Sequence, residues 1–417
     1  MKTILAETGN KKFNGLSFLT LDDFDTKGKT VFLRVDMNCP IDPNTDEISG
    51  ITRIEESVES IKDLKNAKVV VGSHQGRVGN KDYIEMEKHV PVLEKLLDRK
   101  IKYVEDVIGP QAQNEIKSLK EGEVLLLDNL RLCAEENYEF PPADATKTIM
   151  VKKLSKLFDL CVLDSFSSAH RSHPSIVGFA YLLPTCAGRI VEREISKLNE
   201  ILSEAEGPHV VVLGGTKVED RLEALKTLIK NGRADKVLLT GIIANVFMRA
   251  QGRIHFPLGL KNEQELIAKA HYLIGEYPDI FLTPVDVAIN REGSRIELDV
   301  FTVRNGDQIH DIGLKTVDYY LESISNAGTV FINGPAGAFE NDNFNIGTLG
   351  LLTGAASSSA KTIVSGGHLT SALKKYGLEE KIDYINTAGG ALILYMTGIK
   401  LPMIISLEES AKKYRAK

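Results

Sequence analysis

A short, continuously apolar run that ends in an abrupt polar or glycine-rich turn, and is followed by an amphipathic stretch, recurs along this sequence. The apolar runs are Val31–Leu33, Val69–Val71, Val124–Leu127, Leu160–Leu163, Val210–Leu213, Val237–Leu239, Ile280–Leu282, Val330–Ile332 and Ile363–Val364. Runs this short and apolar throughout are typical of strands buried on both faces, as in parallel sheets covered by helices. Because the strands alternate with helical stretches, the pattern predicts an α/β protein with right-handed crossovers.

The same rhythm in both halves of the 417-residue chain predicts two doubly wound parallel-sheet domains, since one core rarely grows to this size. Between the halves, apolar residues recur at helical spacing from Gly188 to Glu206, and the pair Gly207–Pro208 ends the pattern. We therefore expect domains at residues 1–188 and 189–399, joined by a linker helix. The pattern alone leaves open which domain the segment after residue 402 packs on.

Composition narrows the class of partner. The net charge of −6 argues against a general binder of nucleic acid or of anionic membranes. No apolar run reaches the ~18 residues of a membrane span, and the first residues lack the apolar stretch of a signal peptide, so we expect a cytoplasmic protein. The widely spaced cysteines predict buried free thiols, not a zinc site or a disulfide framework. They are Cys39, Cys133, Cys161 and Cys186.

In the first half, the residues just after the apolar runs are polar and basic. They are Arg34–Asn38, Ser73–Arg77, Asp128–Arg131 and Asp164–His173. Ligands of open parallel sheets bind beyond the carboxyl ends of the strands, and guanidinium groups bind carboxylate and phosphate through paired hydrogen bonds. Any one of these arginines could instead form a surface ion pair. Because basic residues follow four separate strands, however, the pattern predicts an anion pocket. A metal role for His74, His170 and His173 lacks supporting carboxylate or cysteine spacing.

In the second half the corresponding turns are rich in glycine. They are Gly214–Lys217, Thr240–Gly241, Asn333–Gly337, Ser365–His368 and Thr387–Gly390. Glycine lets the backbone approach a phosphate closely, and the following helix offers free N–H groups. A Gly-Gly pair is also an ordinary turn signal, but its repetition at successive strand ends favours a nucleotide site. Lys217, just before a helical stretch, is placed to meet a phosphate.

Familiar nucleotide and hydrolase motifs are absent from the sequence: there is no P-loop, no dinucleotide fingerprint and no nucleophile elbow. The first half is predicted to bind a small anion and the second a nucleotide. Together they predict an enzyme of phosphoryl transfer, a reaction in which the two ligands are held in line. The alternatives are a dinucleotide-dependent dehydrogenase, a binding protein without turnover, and another acyl-phosphate kinase with a carboxylate acceptor.

In this order, from about Leu21 onward, these motifs resemble phosphoglycerate kinase. The motifs on which the resemblance rests are Arg34–Pro40, Ser73–Arg77, Asn129–Arg131, Ala169–His173, Gly214–Val218, Pro284–Asp286, Asp311–Gly313 and Asn333–Pro335. The resemblance implies reversible transfer between 1,3-bisphosphoglycerate and ADP, giving 3-phosphoglycerate and ATP. It also implies two domains that close about a hinge, with the C-terminal tail 400–417 returning to the first domain.

By the same resemblance, residues of the first half bind 3-phosphoglycerate. They are Asp36, Asn38, Arg53, His74, Arg77, Arg131, His170 and Arg171. Arg53 would stabilise the transferring phosphoryl group, helped from the nucleotide side by Lys217, Gly389 and Gly390. The nucleotide-binding residues would be Gly214, Gly215, Lys217, Arg221, Gly241, Asn333, Pro335, Glu340, Gly366, Gly367, His368 and Thr370.

The implied cofactors are ATP or ADP and Mg²⁺, and the implied partners are the phosphoglycerates and an adenine nucleotide. We expect a monomer, with a homodimer as the alternative. The sequence departs from the family pattern in three places. His368 stands where the family has an aspartate that serves Mg²⁺, which leaves the protein ligand of the metal undetermined; Arg221 replaces a lysine; and the glycine-rich segment near the adenine site is reduced to Gly241–Asn245.

Overall fold

The computed structural model describes residues 16–42 and 44–415. The β-strands are β1 (Thr30–Val35), β2 (Lys68–Gly72), β3 (Lys102–Val104), β4 (Val124–Leu127), β5 (Leu160–Asp164), β6 (Thr185–Ala187), β7 (His209–Leu213), β8 (Lys236–Leu239), β9 (Phe281–Leu282), β10 (Asp286–Arg291), β11 (Ser294–Asp299), β12 (Ile309–Ile312), β13 (Thr329–Asn333), β14 (Lys361–Ser365) and β15 (Tyr384–Asn386).

The α-helices are α1 (Thr52–Asp63), α2 (Val90–Leu97), α3 (Pro110–Ser118), α4 (Pro142–Ala145), α5 (Ile149–Leu154), α6 (Pro174–Val177), α7 (Arg189–Glu204), α8 (Val218–Lys230), α9 (Gly241–Ala250), α10 (Glu263–Glu276), α11 (Leu314–Ser325), α12 (Ile346–Ser357), α13 (Gly367–Tyr376), α14 (Gly389–Met396) and α15 (Pro402–Tyr414). Short 3₁₀ helices occupy Leu21–Asp23, Glu87–His89, Leu130–Leu132, Ala134–Asn137, Phe166–Ser168, Phe179–Tyr181, Val300–Thr302, Asp342–Phe344 and Glu379–Lys381.

The chain divides into two compact units. The first contains the described residues up to Lys197 and those from Lys400 onward, and the second runs from Leu198 to Ile399. The boundary lies inside α7, the helix predicted between residues 188 and 206. None of the helices in the described part of the chain is long and apolar enough to cross a bilayer.

The sheet of the first unit has the order β3-β4-β2-β1-β5-β6, and all its strand pairs are parallel. Strands β2, β3 and β4 lie on one side of β1, and β5 and β6 lie on its other side. The direction of winding therefore reverses between β1 and β5. Val35 at the end of β1 pairs in register with Asp164 at the end of β5. Ligands of such sheets bind at the carboxyl ends of the strands that flank this reversal.

The sheet of the second unit has the order β15-β14-β13-β7-β8-β9 and is also parallel throughout. Here the winding reverses between β7 and β13, where Leu213 pairs with Asn333. The two doubly wound parallel-sheet domains predicted from the sequence are confirmed. Every predicted apolar run lies in one of these strands, apart from Ile280, which immediately precedes β9.

Three short edge strands and one antiparallel sheet were not predicted. β3, β6 and β15 have three residues each and lie at sheet edges, so they contain no extended apolar run. The additional sheet, of order β11-β10-β12, is antiparallel. Its strands include charged residues and are partly exposed, and such strands lack the continuous apolar signal of buried parallel strands.

The buried core of the first unit includes residues from neighbouring strands, such as Val31 and Val69, and from α1, such as Ile54. Helix α15 packs on this unit: the Ser410 hydroxyl accepts a hydrogen bond from Thr185 N at 2.8 Å, and Ala411 joins the core. All four cysteines are free and buried, which confirms the prediction of structural thiols.

Candidate functional site

Asp36 and Arg53 meet where β1 ends. Arg53, in the first turn of α1, places its guanidinium 3.0 Å from the Asp36 carboxylate and donates to the carbonyl of Asn38 at 2.9 Å. Asp36 also accepts hydrogen bonds from the backbone N–H of Asn38 and from the hydroxyl of Ser167, which follows β5. Burial alone would raise the pKa of Asp36, but the Arg53 guanidinium and the hydrogen bonds from Ser167 and Asn38 N–H outweigh it and hold that pKa below its ordinary value. Asp36 is therefore a carboxylate at neutral pH.

A hydrogen-bonded scaffold joins the loops that follow β1, β2 and β4. The Asn38 side chain accepts from the N–H of Gly76 at 2.8 Å, and the Asn129 side chain donates to the carbonyl of Gln75 at 2.8 Å. Arg131 donates to the carbonyl of Gly76. Gly76 has a φ of +65°, and a Cβ there would lie 2.2 Å from the carbonyl oxygen of Asp82, so the loop requires glycine.

Arg34, on β1, is fully buried, and the buried Glu136 is its counter-charge. Ser175 links them: its hydroxyl accepts from Arg34 Nε at 2.9 Å and donates to Glu136. Burial lowers the pKa of Arg34, and the negative charge of Glu136 opposes that effect. Arg34 also lies 3.2 Å from Nδ1 of His74, and burial together with this cation holds the pKa of His74 well below its usual range. The His74 imidazole is therefore neutral.

The remaining basic residues lie around this centre. Arg131 is half-buried and interacts electrostatically with Arg34, Arg77 and Arg171. Burial, with the neighbouring arginines and His170, lowers the pKa of His173 to about 3. The Arg171 guanidinium forms an exposed ion pair with Glu139 at 3.3 Å, whereas Arg77 forms no ion pair within residues 16–42 and 44–415.

The structure thus brings the predicted anion-binding side chains to the carboxyl ends of β1, β2, β4 and β5. They are Asp36, Asn38, Arg53, His74, Arg77, Arg131, His170 and Arg171. Positive charge exceeds the carboxylates that face it, and this arrangement suits a small polyanion. Sequence reasoning did not select Glu136, Ser167 or Ser175, which hold the arginines and Asp36 in place.

In the second unit, glycine-rich loops after β7 and β13 touch each other. The N–H of Gly214 donates to the carbonyl of Asn333 at 2.9 Å, and the N–H of Gly215 donates to the carbonyl of Pro335 at 2.8 Å. A Cβ on Gly214 would lie 2.2 Å from Pro335 O, so the close approach requires glycine. Gly241 N–H, at the start of α9, donates to the carbonyl of Ala336 at 3.0 Å, which adds the loop after β8 to the same group.

Arg221 and Lys217 differ in their surroundings. Arg221 is buried and donates from two nitrogens to the Asn333 side-chain oxygen, at 3.2 and 3.4 Å. Helix α8 thus turns Arg221 toward the end of β13. Lys217 is exposed at the start of α8, and within the described residues its ammonium group forms no ion pair.

Two further helices begin at glycines after neighbouring strands. Helix α13 starts at Gly367, directly after Gly366, which has a φ of +111°; Thr370 N–H donates to the Gly366 carbonyl at 3.0 Å. Helix α14 starts at Gly389, where a Cβ would lie 3.5 Å from the Asn333 side-chain nitrogen. Such helix starts present free N–H groups and a positive dipole end to a phosphate. Gly390 is exposed in the first turn of α14.

A cavity of about 270 Å³ opens beside these loops. Of the predicted nucleotide-binding residues, it is lined by Gly215, Gly241, Pro335, Glu340 and His368. Its apolar walls come partly from Val287 and Ile309 of the antiparallel sheet, and they were missed because that sheet was not predicted. The other predicted nucleotide-binding residues, including Gly214, Lys217 and Arg221, lie outside its lining.

His368 and Glu340 pair at the edge of the cavity, with 3.2 Å between Nδ1 of the imidazole and a carboxylate oxygen. Both side chains are largely exposed. Within the described residues, no three histidine, cysteine or acidic side chains lie close enough together to hold a metal ion. This donor set fits a Mg²⁺ that is held mainly by phosphate oxygens and water, as this ion often is.

A doubly wound unit with a dense cluster of arginines, and a second with glycine-rich loops beside a cavity, define a kinase that acts on a small anion. Comparison with known families narrows this class. The family model for phosphoglycerate kinase matches residues 21–399, and the chain belongs to the phosphoglycerate kinase family. The protein is accordingly an enzyme that transfers a phosphoryl group between 1,3-bisphosphoglycerate and ADP, as the sequence predicted, and the dehydrogenase alternative is wrong.

Individual relatives agree over nearly the whole length. The chain is 42% identical over 403 residues to the phosphoglycerate kinase of Methanothermus fervidus, with 95% of this chain and 98% of that one covered. The crystal structure of phosphoglycerate kinase from Pyrococcus horikoshii OT3 has a TM-score of 0.85 at 39% identity, covering 95% of this chain and 100% of that one. The phosphoglycerate kinase structure from Coxiella burnetii gives 0.73 at 29% identity, covering 96% and 100%.

Proposed function

We propose that the basic cluster of the first unit binds 3-phosphoglycerate and that the glycine-rich loops and cavity of the second bind the Mg²⁺ complex of ADP or ATP. The observation on which this proposal rests is the convergence of Arg77 and Arg171 on Arg131, in a cluster that also includes His74 and the buried Arg34, with Asp36 beside His74. A triose that has a phosphate at one end and a carboxylate at the other matches such a cluster in charge.

Within this cluster each group has a distinct task. Asp36 accepts a hydrogen bond from the substrate hydroxyl, and the backbone and side chain of Asn38 position the carboxylate end. The arginines bind the distal phosphate, aided by His170 and by His74. Since the His74 imidazole is neutral, it contributes one hydrogen bond without adding charge.

The chemical step requires no strong general base, because the nucleophile is either a carboxylate or a nucleotide phosphate oxygen. Its rate depends on positioning and on fixed positive charge around the transferring group. We assign that charge to Arg53 from the first unit and to Lys217, with the positive end of helix α14 at Gly389 and Gly390, from the second. Mg²⁺ would neutralise part of the nucleotide phosphate charge.

The roles of the nucleotide-binding residues follow from their positions in the loops and helices of the second unit. The N–H of Gly367, at the start of α13, faces the phosphates, with Thr370 and His368 on the same helix beside it and Gly241 at the start of α9. Gly214, Gly215 and Gly366 let the loop backbone come close to the phosphates, while their own N–H groups donate to the carbonyls of Asn333, Pro335 and Asn386. Arg221 holds Asn333 and thereby shapes the loop that contains Pro335. Glu340 binds ribose hydroxyls, and its pairing with His368 orients both groups.

We extend the proposal to a monomer that works in the cytoplasm without nucleic-acid or membrane partners. The net charge of −6 supports the lack of nucleic-acid and membrane partners, because anionic polymers and surfaces would repel the chain. Light scattering at several protein concentrations tests the monomer, with a homodimer as the contrary outcome.

Transfer from ATP to 3-phosphoglycerate, with reductive trapping of the acyl phosphate, tests the assignments. Lys217→Ala should lower kcat at least about 100-fold, the loss seen when one fixed charge facing the transition state is removed. Lys230→Ala, on the exposed far end of the same helix, is the matched control and should match the wild type. Equal activity of the two variants would refute the role of Lys217, and a lack of Mg²⁺ dependence would refute the metal assignment.

A further inference from the structure

One buried polar side chain in the wall of the cavity lacks a hydrogen-bond partner among the described residues. Asn245, on α9, lines the cavity and is 7% exposed, yet within the described part of the chain its amide forms no hydrogen bond. Buried amides are rarely left unpaired, because the lost hydration is not recovered. An unpaired amide at a cavity wall is suited to a ligand that supplies both a hydrogen-bond donor and an acceptor.

The other polar side chains that line the cavity are already engaged or lie in solvent. The Asp311 carboxylate accepts from Arg295 at 3.0 Å and from Gly347 N–H at 2.8 Å. The His310 ring packs against Phe344 and lies 3.4 Å from Gln308. Thr216 is exposed, and Glu340 pairs with His368. Among the described residues that line the cavity, Asn245 is thus the buried polar side chain that remains available to a ligand.

Its position relative to the glycine-rich loops indicates which part of a nucleotide it meets. Asn245 follows Gly241 by four residues on α9, which places it about 6 Å further along the helix from the strand ends. The wall around it is apolar and includes Ile242, Val287 and Ile309. An apolar slot with one free amide, about one helical turn beyond a phosphate loop, suits a flat heterocyclic base.

We propose that Asn245 is a specificity residue that binds the edge of the adenine base. Its amide oxygen accepts from the 6-amino group, and its amide N–H donates to the adjacent ring nitrogen, the bidentate pairing that asparagine forms with adenine. This inference rests on the nucleotide site proposed above and deepens it. Because the contact involves only the base, it affects nucleotide affinity and leaves the binding of 3-phosphoglycerate unchanged.

Calorimetric titration with ADP and with purine riboside diphosphate, which lacks the 6-amino group, tests the contact. The wild type should bind ADP about 10- to 100-fold more tightly than the analogue. Asn245→Leu, nearly equal in size, should bind both nucleotides within about twofold of each other. Asn326→Leu, on α11, is the matched control, because its amide donates to the Glu322 carbonyl away from this cavity, and it should retain the wild-type ratio.

The outcomes separate this inference from the proposed function. If Asn245→Leu keeps the wild-type preference for ADP, or if its Tm falls by more than about 5 °C, the amide serves the fold or another ligand group and the inference is overturned. An unchanged or raised Tm supports the inference, because leucine packs well in an apolar cavity wall. Failure of the wild type to transfer phosphate would refute the proposed function, and the titration would still decide the role of Asn245.

Discussion

The Arg53 guanidinium lies 3.0 Å from the Asp36 carboxylate and 2.9 Å from the carbonyl of Asn38, at the point where the sheet of the first unit reverses its winding. About a third of the Arg53 side chain is exposed, and both of these contacts use its Nη1 nitrogen. Asp36 is held as a carboxylate and fixes the orientation of this cation before substrate arrives. Preorganised charge of this kind is the main source of catalysis in phosphoryl transfer.

Arg53→Ala should therefore lower kcat by about 100- to 1,000-fold, with a smaller change in the KM for 3-phosphoglycerate. Arg53→Lys should recover only part of the rate, since an ammonium cannot bind Asp36 and Asn38 with the same geometry. Steady-state kinetics measure both values. Arg193→Ala, which removes an exposed ion pair with Glu59, is the control and should leave kcat unchanged. An effect of Arg53→Ala confined to KM would contradict the assignment.

Glu136 lies under the arginine cluster as the buried counter-charge of Arg34. Glu136→Ala should lower the free energy of unfolding by about 3–5 kcal/mol, because Arg34 would remain buried without its carboxylate. Urea unfolding monitored by circular dichroism measures this loss. Glu59→Ala, at an exposed ion pair, should change the stability by less than about 1 kcal/mol. Similar losses for the two variants would show that Arg34 does not depend on Glu136.

Much of this arrangement could be predicted from the sequence, because the relevant signals are local. Val31–Leu33 and Val124–Leu127 are apolar on both faces, so parallel strands were expected, and ligand-binding residues were expected directly after them. Asp36 and Arg131 were selected on this basis. β10 and β12 were not predicted because their polar residues interrupt the apolar pattern, and the cavity wall that they form was missed with them.

Other features depend on contacts that are distant in sequence. Glu136 lies in the polar segment Ala134–Asn137, which resembles a surface loop, and only its hydrogen bonds to Ser175, 39 residues away, show that it is buried. Arg221 likewise resembles an exposed helix residue until Asn333, 112 residues away, is placed beside it. No local periodicity predicts either contact, because each forms when separate crossovers pack on one sheet.

The contact between the loops after β7 and β13 leads to a further prediction. Gly214→Ala should raise the KM for the nucleotide at least about tenfold, because the new methyl group would meet the Pro335 carbonyl oxygen at 2.2 Å and displace both loops. Gly275→Ala is the matched control: apart from α10 itself, no atom of the described residues lies within 4 Å of the added Cβ, so activity should persist and stability should stay equal or rise. Kinetics and thermal unfolding of the two variants check this, and an unchanged KM in Gly214→Ala would contradict it.

His89 provides a prediction about pH. Burial lowers its pKa from 6.5 to about 4, and the ring nitrogen Nε2 lies 3.0 Å from the Met37 carbonyl oxygen. Since the unfolded chain binds the proton more readily than the folded chain, the contribution of His89 to stability is complete above about pH 6.5. It is lost as the pH falls toward 4, by up to about 3 kcal/mol, from about 1.4 kcal/mol for each pH unit between the two values.

The free energy of unfolding should therefore fall less steeply between pH 6.5 and 4 in His89→Gln than in the wild type, because glutamine gains no proton on unfolding. A residual slope should remain from His173, whose pKa burial lowers to about 3. Denaturant titrations at half-unit pH intervals measure both slopes. His255→Gln, at an exposed position, should keep the wild-type slope. Identical slopes in all three proteins would mean that the folded chain accommodates a charged His89, and the burial argument would then fail for this residue.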